Sequence, residues 1–374
     1  MIYLDNGATT KPRKEVVEEY IKNCEEGFFN PSAVYSSAFN LSKKIDEVRN
    51  LIIKVLSGSE YKDKVIFTSG ATEANNLAIF GSATNRTKKY LFSVGEHPSV
   101  YNCAQELLTR GYNIQFIPLS RSGEIDYDEL EKLCDKDTCF VSTMFVNNET
   151  GAVNDLIKIR QIIDMRNPNC IFHVDAVQGF CKLPLSTKKA KINLLSMSAH
   201  KIGGLKGVGA LFISSGINLK NISFGGGQEK GLRSGTVNAG GIIAMGVAVR
   251  IAHSEMQSNF EKVQKLKILL LENLNKNFKD RCVCASTKNC SPYVLSLMFK
   301  GIKGEVLMRK LDVKNVIVGT GSACSASKVG NRVLESMGYT KDQITGAIRV
   351  SFGFENCEND VKIFCEKLKE CLES

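Results

Sequence analysis

An acid closes one apolar strand and a lysine follows the next: Ile171-Phe-His-Val-Asp175-Ala-Val-Gln178, then Leu194-Leu-Ser-Met-Ser198-Ala-His200-Lys201. A carboxylate at a strand end can hold a pyridine nitrogen protonated, which makes the ring an electron sink. A lysine beside it can carry that ring as a Schiff base. The pairing fits a pyridoxal phosphate site, whose chemistry is bond cleavage around an amino-acid α-carbon.

Other segments could complete such a site, and each has a plainer reading. Ser69-Gly-Ala-Thr72-Glu-Ala-Asn-Asn76 follows a strand and opens a helix, so free N–H groups and the Thr72 hydroxyl could cradle a phosphate together with Ser198 and His200. An ordinary helix cap would look the same locally. His97, in Glu96-His97-Pro98-Ser99, could stack on a pyridine face and exchange protons, or be a structural loop histidine. His173 shares a strand face with Asp175 and reads as structural or supporting. Asn148 could bind the cofactor's phenolic oxygen or a substrate carboxylate, and Gln178 the former, although turn chemistry alone explains Asn147-Asn148-Glu149-Thr-Gly151. The glycine-rich run from Gly225 to Thr236 is either an anion contact through Thr236 or a solvent loop. Cys324 stands among small residues in Gly-Ser-Ala-Cys324-Ser-Ala-Ser, where a reachable thiol could be a nucleophile. Arg349 interrupts an apolar strand, and its guanidinium suits a planar carboxylate or a structural ion pair.

The elements that must position these residues are short apolar runs: 64–68, 90–94, 114–117, 138–145, 171–174, 192–197 and 209–213. Helical patterns at 128–133 and 155–164 separate them, which indicates an α/β fold whose mostly parallel sheet is covered on both faces. Ligands in such sheets sit at the carboxyl ends of the strands, where Ser69, Asp175 and Ser198 fall. From Gly240 one long helix is expected through Ile251 to Lys276, leading to a smaller α/β domain with strands at 293–299 and 347–352, a helix at 305–311 and a last helix at 358–372. The predicted division is a large domain of 13–250, with 1–12 joining 251–374 in the small one.

With 374 residues, 43% hydrophobic and 24% charged, the composition is that of a soluble globular protein, and no run of about twenty apolar residues suggests a membrane span. The first residues lack signal-peptide features, so a cytoplasmic protein is expected. The net charge of +10 is spread among acids; it would steer acidic partners without marking a stable nucleic-acid site. Thirteen cysteines, an odd number in an intracellular context, read mostly as buried thiols, and Cys282-Val-Cys284 lacks zinc-ligand spacing, so no metal is expected.

Taken together, eight ordered motifs resemble the cysteine desulfurases, the NifS/IscS-like group of class V aminotransferase-like pyridoxal phosphate enzymes: Ser-Gly-Ala-Thr-Glu-Ala-Asn-Asn, Glu-His-Pro-Ser-Val, Asn-Asn-Glu-Thr-Gly, His-Val-Asp-Ala-Val-Gln, Ser-Ala-His-Lys, Gly-Gly-Gly-Gln-Glu, Arg-Ser-Gly-Thr and Gly-Ser-Ala-Cys. The resemblance runs from Leu4 to Gly353. It implies the aspartate aminotransferase-like fold (fold type I), with a large domain built on a mostly parallel seven-stranded sheet and a homodimeric enzyme. Lys201 would carry pyridoxal phosphate, Asp175 would face the ring nitrogen, Gln178 the phenolic oxygen and His97 the ring face. Ala71, Thr72, Ser198 and His200 would hold the phosphate, with Thr236 reaching it from the neighbouring subunit. Asn148 and Arg349 would bind the carboxylate of L-cysteine. Cys324 would take its sulfur as a persulfide, leaving L-alanine, for an acceptor in iron-sulfur assembly or tRNA thiolation. A selenocysteine lyase or another lyase of the same fold is the alternative, and a non-catalytic sulfur relay a more distant one. Two departures stand out: Gly7 where the family usually has alanine, and Ile202-Gly203-Gly204-Leu205 without the family's proline, which would loosen the turn after Lys201. The chain stops about twenty-five residues beyond Arg349, short of the tail that helps some relatives dock a scaffold, which favours a tRNA-thiolation or other sulfurtransferase as acceptor.

Overall fold

The computed structural model describes residues 1–60, 62–286, 289–320 and 331–373. Its strands are β1 (Ile2–Tyr3), β2 (Lys64–Thr68), β3 (Lys89–Ser93), β4 (Asn113–Ile117), β5 (Thr138–Met144), β6 (Ile171–Asp175), β7 (Leu194–Ser198), β8 (Gly209–Ile213), β9 (Cys282–Cys284), β10 (Val294–Phe299), β11 (Val316–Ile317) and β12 (Ala347–Ser351). Seven of them form one sheet in the order β2-β8-β7-β6-β5-β3-β4, in which only β8 runs against its neighbours.

Alternation along each strand explains why both faces are covered. Val65, Phe67, Leu91, Val141 and Val174 join one core with the helices Ser36–Val55, Leu156–Arg166 and Ala239–Ser254. Ile66, Tyr90, Phe92 and Phe140 join another with the helices Ala71–Ser82 and Pro98–Thr109. Period-two side chains on a sheet buried on both sides therefore read as unbroken apolar runs.

A second, smaller assembly comprises the antiparallel sheet β12-β10-β9 and the parallel pair β1-β11. Its own core unites Leu4 with residues from Val263 to Cys371, including Leu270, Phe299, Val350 and Phe364. The single long helix expected from Gly240 to Lys276 is instead two, Ala239–Ser254 and Met256–Phe278. The break falls at Glu255, whose carboxylate accepts from the Asn259 side chain and pairs with Arg13, a partner that no local pattern discloses.

The turn after Lys201 is also tighter than its sequence suggests. Gly203 takes φ +82°, a backbone conformation that favours glycine. Its N–H donates to Thr10 Oγ1 at 2.8 Å, and its carbonyl accepts from Arg13 N at 2.8 Å. A Cβ on Gly204 would lie 2.7 Å from that of Ala199. Contacts with the amino-terminal segment thus secure a turn that lacks proline.

Candidate active site

At the carboxyl ends of the sheet's parallel strands lies a cavity of about 670 Å³. Ala71, Thr72, His97, Asn148, Asp175, Gln178, Ser198, His200, Lys201 and Arg349 all line it, so residues separated by nearly 280 positions are brought together. Thr236 is not among them: it is exposed beside a recess of about 190 Å³ with Glu229 and Arg233. Cys324 lies outside the described residues. His173 is fully buried, bonded to the Ser142 hydroxyl at 2.9 Å and to that of Ser196 at 3.1 Å; burial lowers its pKa to about 3, and it serves the sheet.

A cradle that would suit a phosphate forms where a helix start meets a close backbone approach from β8. The helix Ala71–Ser82 begins at Gly70, with φ +155° and no side-chain cap, so its first N–H groups point at the cavity mouth. On β8, Gly209 faces Ser198 across the ladder, and a Cβ there would lie 2.7 Å from Gly70 Cα. Only glycine lets the Ser69-Gly70 turn sit this low. Glu73 accepts the Ser69 N–H at 2.6 Å and is itself held by Arg233 at 2.9 Å. The remaining donors, with the hydroxyls of Thr72 and Ser198, suit a phosphate. His200 bonds Thr9 Oγ1 at 3.1 Å, and burial, then Lys201 and other lysines, lower its pKa to about 4.

Asp175 ends β6 beside Met144 of β5 and Ser196 of β7. Its Oδ1 accepts from Val177 N at 3.0 Å and its Oδ2 from Asn75 Nδ2 at 2.9 Å. Lys201, one turn after β7, donates to the carbonyls of Gly7 at 2.6 Å and Ala8 at 2.7 Å. Burial and then the Arg349 charge lower its pKa to about 8, against the pull of Asp5 and Asp175. Gln178 Nε2 donates to the same Gly7 carbonyl at 2.9 Å, and its Oε1 lies 3.4 Å from the amine of Lys182. Burial and then Lys201 lower the pKa of Lys182 to about 7.

Arg349 on β12 reaches the cavity from the smaller assembly. One terminal nitrogen donates to the Asn148 carbonyl at 3.0 Å and the other to Asp5 Oδ1 at 2.8 Å. The Asn147-Asn148 pair divides its work: Asn147 builds the turn, accepting from Glu149 N and Thr150 N and donating to Gly95 O, while Asn148 lines the cavity. Glu96 is buried, with neither carboxylate oxygen hydrogen-bonded among the described residues; burial and then Asp175 push its pKa well up. On either side of residues 321–330 the chain is tied to this site. Gly319 exchanges backbone hydrogen bonds with Arg349, and Arg332 donates to the carbonyls of Val94 at 2.6 Å and Glu96 at 2.5 Å while stacking on Tyr101.

Asn75, Ser99 and Lys182 were missed as contributors. One signal could have found Asn75: on the helix it shares a face with Ala78 and Ile79, whereas its neighbour Asn76 points out and bonds the Thr72 carbonyl.

The aminotransferase class-V family profile matches residues 2–364. A cysteine desulfurase IscS of Clostridium botulinum is 34% identical over 378 aligned positions, covering 99% of this chain and 94% of the relative. A solved NifS-like protein superposes with a TM-score of 0.93 at 32% identity, covering 100% of this chain and 99% of that one. A structure described as SspA in complex with cysteine gives 0.80 at 29% identity, with 94% and 99% coverage.

Proposed function

We propose a division of labour among the residues of a chain that belongs to the aminotransferase class-V family and is a pyridoxal-phosphate-dependent cysteine desulfurase. The observation that carries it is one cavity holding a strand-end carboxylate, a half-buried lysine of lowered pKa, a glycine-lined cradle suited to phosphate and an arginine from the smaller assembly. The donor set fits the cofactor: N–H groups at Ala71 and Thr72 with the Ser198 hydroxyl and His200 for phosphate, Asp175 for a protonated pyridine nitrogen, Gln178 for a phenolic oxygen, and His97 for the ring face. Pyridoxal phosphate, when bound, draws electrons away from the α-carbon of an attached amino acid.

Lys201 would hold the cofactor and take the α-proton of the substrate at its Nζ, a task that an amine of lowered pKa suits. Arg349 and Asn148 hold the carboxylate of L-cysteine. The Cys324 thiolate attacks the substrate sulfur: an S–S bond forms as the C–S bond breaks, the electron pair passes to the substrate β-carbon, that carbon takes a proton to become a methyl group, and the α-carbon regains the proton given to Lys201, leaving L-alanine. The persulfide then passes to an acceptor protein serving iron-sulfur assembly or tRNA thiolation. The similarity to SspA, whose structure is of a complex with cysteine, supports the substrate.

The unit of function is a homodimer. Exposed Phe28, Val34, Tyr35 and Phe39 offer an apolar surface to a second copy, and Thr236, exposed and not among the residues lining its own cavity, serves the partner's. We assign 13–250 to a large domain and 1–12 with 251–374 to a small one, a division that the separate core around Leu4 and Leu270 supports. Among the described residues no helix is long and apolar enough to cross a membrane, and we place the enzyme in the cytoplasm.

Two variants test the assignment. Lys201→Ala should abolish the visible absorption of the bound cofactor and slow alanine formation roughly a thousand-fold or more. Cys324→Ala should keep the absorption and lose sulfide release. Undiminished sulfide release from Cys324→Ala would favour a lyase that uses no persulfide.

A further inference from the structure

The carboxylate and the histidine assigned above to the cofactor share a hydrogen-bond donor. Asn75 is completely buried in the helix Ala71–Ser82, and its Nδ2 donates twice: to Asp175 Oδ2 at 2.9 Å and to Ser99 Oγ at 2.9 Å. The orientation of the amide is forced, because the flipped form would set its carbonyl against the carboxylate. Its Oδ1 has no hydrogen-bond partner among the described residues. A buried acceptor left unpaired is unfavourable, so this arrangement favours keeping both donors in use over pairing every atom.

The relay continues through Ser99. A hydroxyl has one proton, and with its oxygen already receiving the Asn75 N–H, that proton is available for His97 Nδ1, 2.8 Å away. The Ser99 backbone N–H also donates to Nδ1, at 3.2 Å, as His97 caps the helix Pro98–Thr109. An imidazole nitrogen facing two donors carries no proton of its own. The proton of the neutral ring then sits on Nε2. Burial disfavours the charged ring, the nearby Lys201, Arg332 and Arg349 act in the same direction, and Asp175 opposes them.

We propose that Asn75 is a positioning residue of this active site: one side-chain amide holds the Asp175 carboxylate and, through the Ser99 hydroxyl, holds His97 with its proton at Nε2. The inference rests on the assignment of His97 and Asp175 to the cofactor. It makes His97 a donor at Nε2, unable to take a proton at Nδ1 until the relay opens.

The test is nitrogen NMR of the holoenzyme labelled with ¹⁵N-histidine. The chain has only four histidines, and His97→Gln identifies the pair of signals lost. The expected wild-type pattern is a protonated Nε2 and an unprotonated, hydrogen-bonded Nδ1. Ser99→Ala should move the Nδ1 signal. Asn75→Ala should move it too and also weaken cofactor retention, roughly ten-fold for the lost hydrogen bond to a charged group. A wild-type His97 protonated at Nδ1, or an Nδ1 signal unmoved in Ser99→Ala, would overturn the proposal even if Asn75→Ala does not fold. Cofactor retention equal to wild type in folded Asn75→Ala would overturn the Asp175 branch. The tautomer is read at the ring nitrogens and not from turnover, so its failure is separable from failure of the cofactor assignment, which the Lys201→Ala absorption decides.

Discussion

The two walls of the cavity are built differently. The strand-end wall is complete before any ligand arrives: Asn75, Ser99 and Val177 N already hold Asp175 and His97 by bonds within the wall itself. The amino-terminal wall is occupied by its own chain. Lys201 and Gln178 both donate to the Gly7 carbonyl, and Asp5 and the Asn148 carbonyl take the guanidinium of Arg349. Ligands can dock on the first wall without rearrangement, whereas on the second they must replace bonds the protein makes to itself. Preorganisation thus sits where charge must be stabilised, and exchangeable bonds sit where groups must move.

The largest effect that would sharpen this contrast is at Arg349. Arg349→Leu removes charge-assisted hydrogen bonds to the substrate carboxylate and leaves Asp5 unpaired, so KM for L-cysteine should rise roughly ten- to a hundred-fold with a smaller change in kcat. A KM within twofold of wild type in steady-state assays would mean that the carboxylate is held elsewhere.

A second effect follows from Lys201. Its pKa of about 8 lies below the ordinary lysine value because burial and Arg349 disfavour the ammonium. Only the neutral amine can attack a carbonyl. Capture of pyridoxal phosphate by apoprotein should therefore speed up as pH rises, by about tenfold per unit below that pKa, and level off above it. A rate that climbs unabated to pH 10, where ordinary lysines titrate, would show that this wall does not tune the amine.

The smallest effect is at Gly7. An added Cβ would lie 3.1 Å from Ser351 Oγ and 3.3 Å from the Arg349 guanidinium carbon, crowding two side-chain ends but no backbone. Gly7→Ala should cost about 1 kcal/mol in substrate binding, near a fivefold rise in KM. A larger loss would mean that the amino-terminal wall is as rigid as the strand-end one.

The same contrast explains what could be read from the chain alone. Asp175, Lys201 and the Ser69-Gly70 turn were legible in combination: each alone has a plainer cap or turn reading, but a strand-end carboxylate, a lysine after the next strand and a glycine turn opening a helix together suit one chemistry. The sheet was equally readable, since a strand buried on both faces needs continuous apolar residues. The amino-terminal wall was not readable, because backbone carbonyls of Gly7 and Ala8 leave no mark in residue types, and the Asp5–Arg349 pair spans the whole chain. Asn75 was hidden differently: Asn75-Asn76 is a repeated letter, and only the helix phase tells the buried amide from the exposed one. The break at Glu255 was not legible because the Arg13 that pairs with it comes from a distant segment.

The most direct test of the sulfur chemistry is mass spectrometry of the holoenzyme after one turnover of L-cysteine, with thiols trapped by alkylation. One additional sulfur atom is expected on the peptide that carries Cys324, absent in Lys201→Ala. Additional sulfur on a different cysteine, or none on any peptide while alanine still forms, would contradict it.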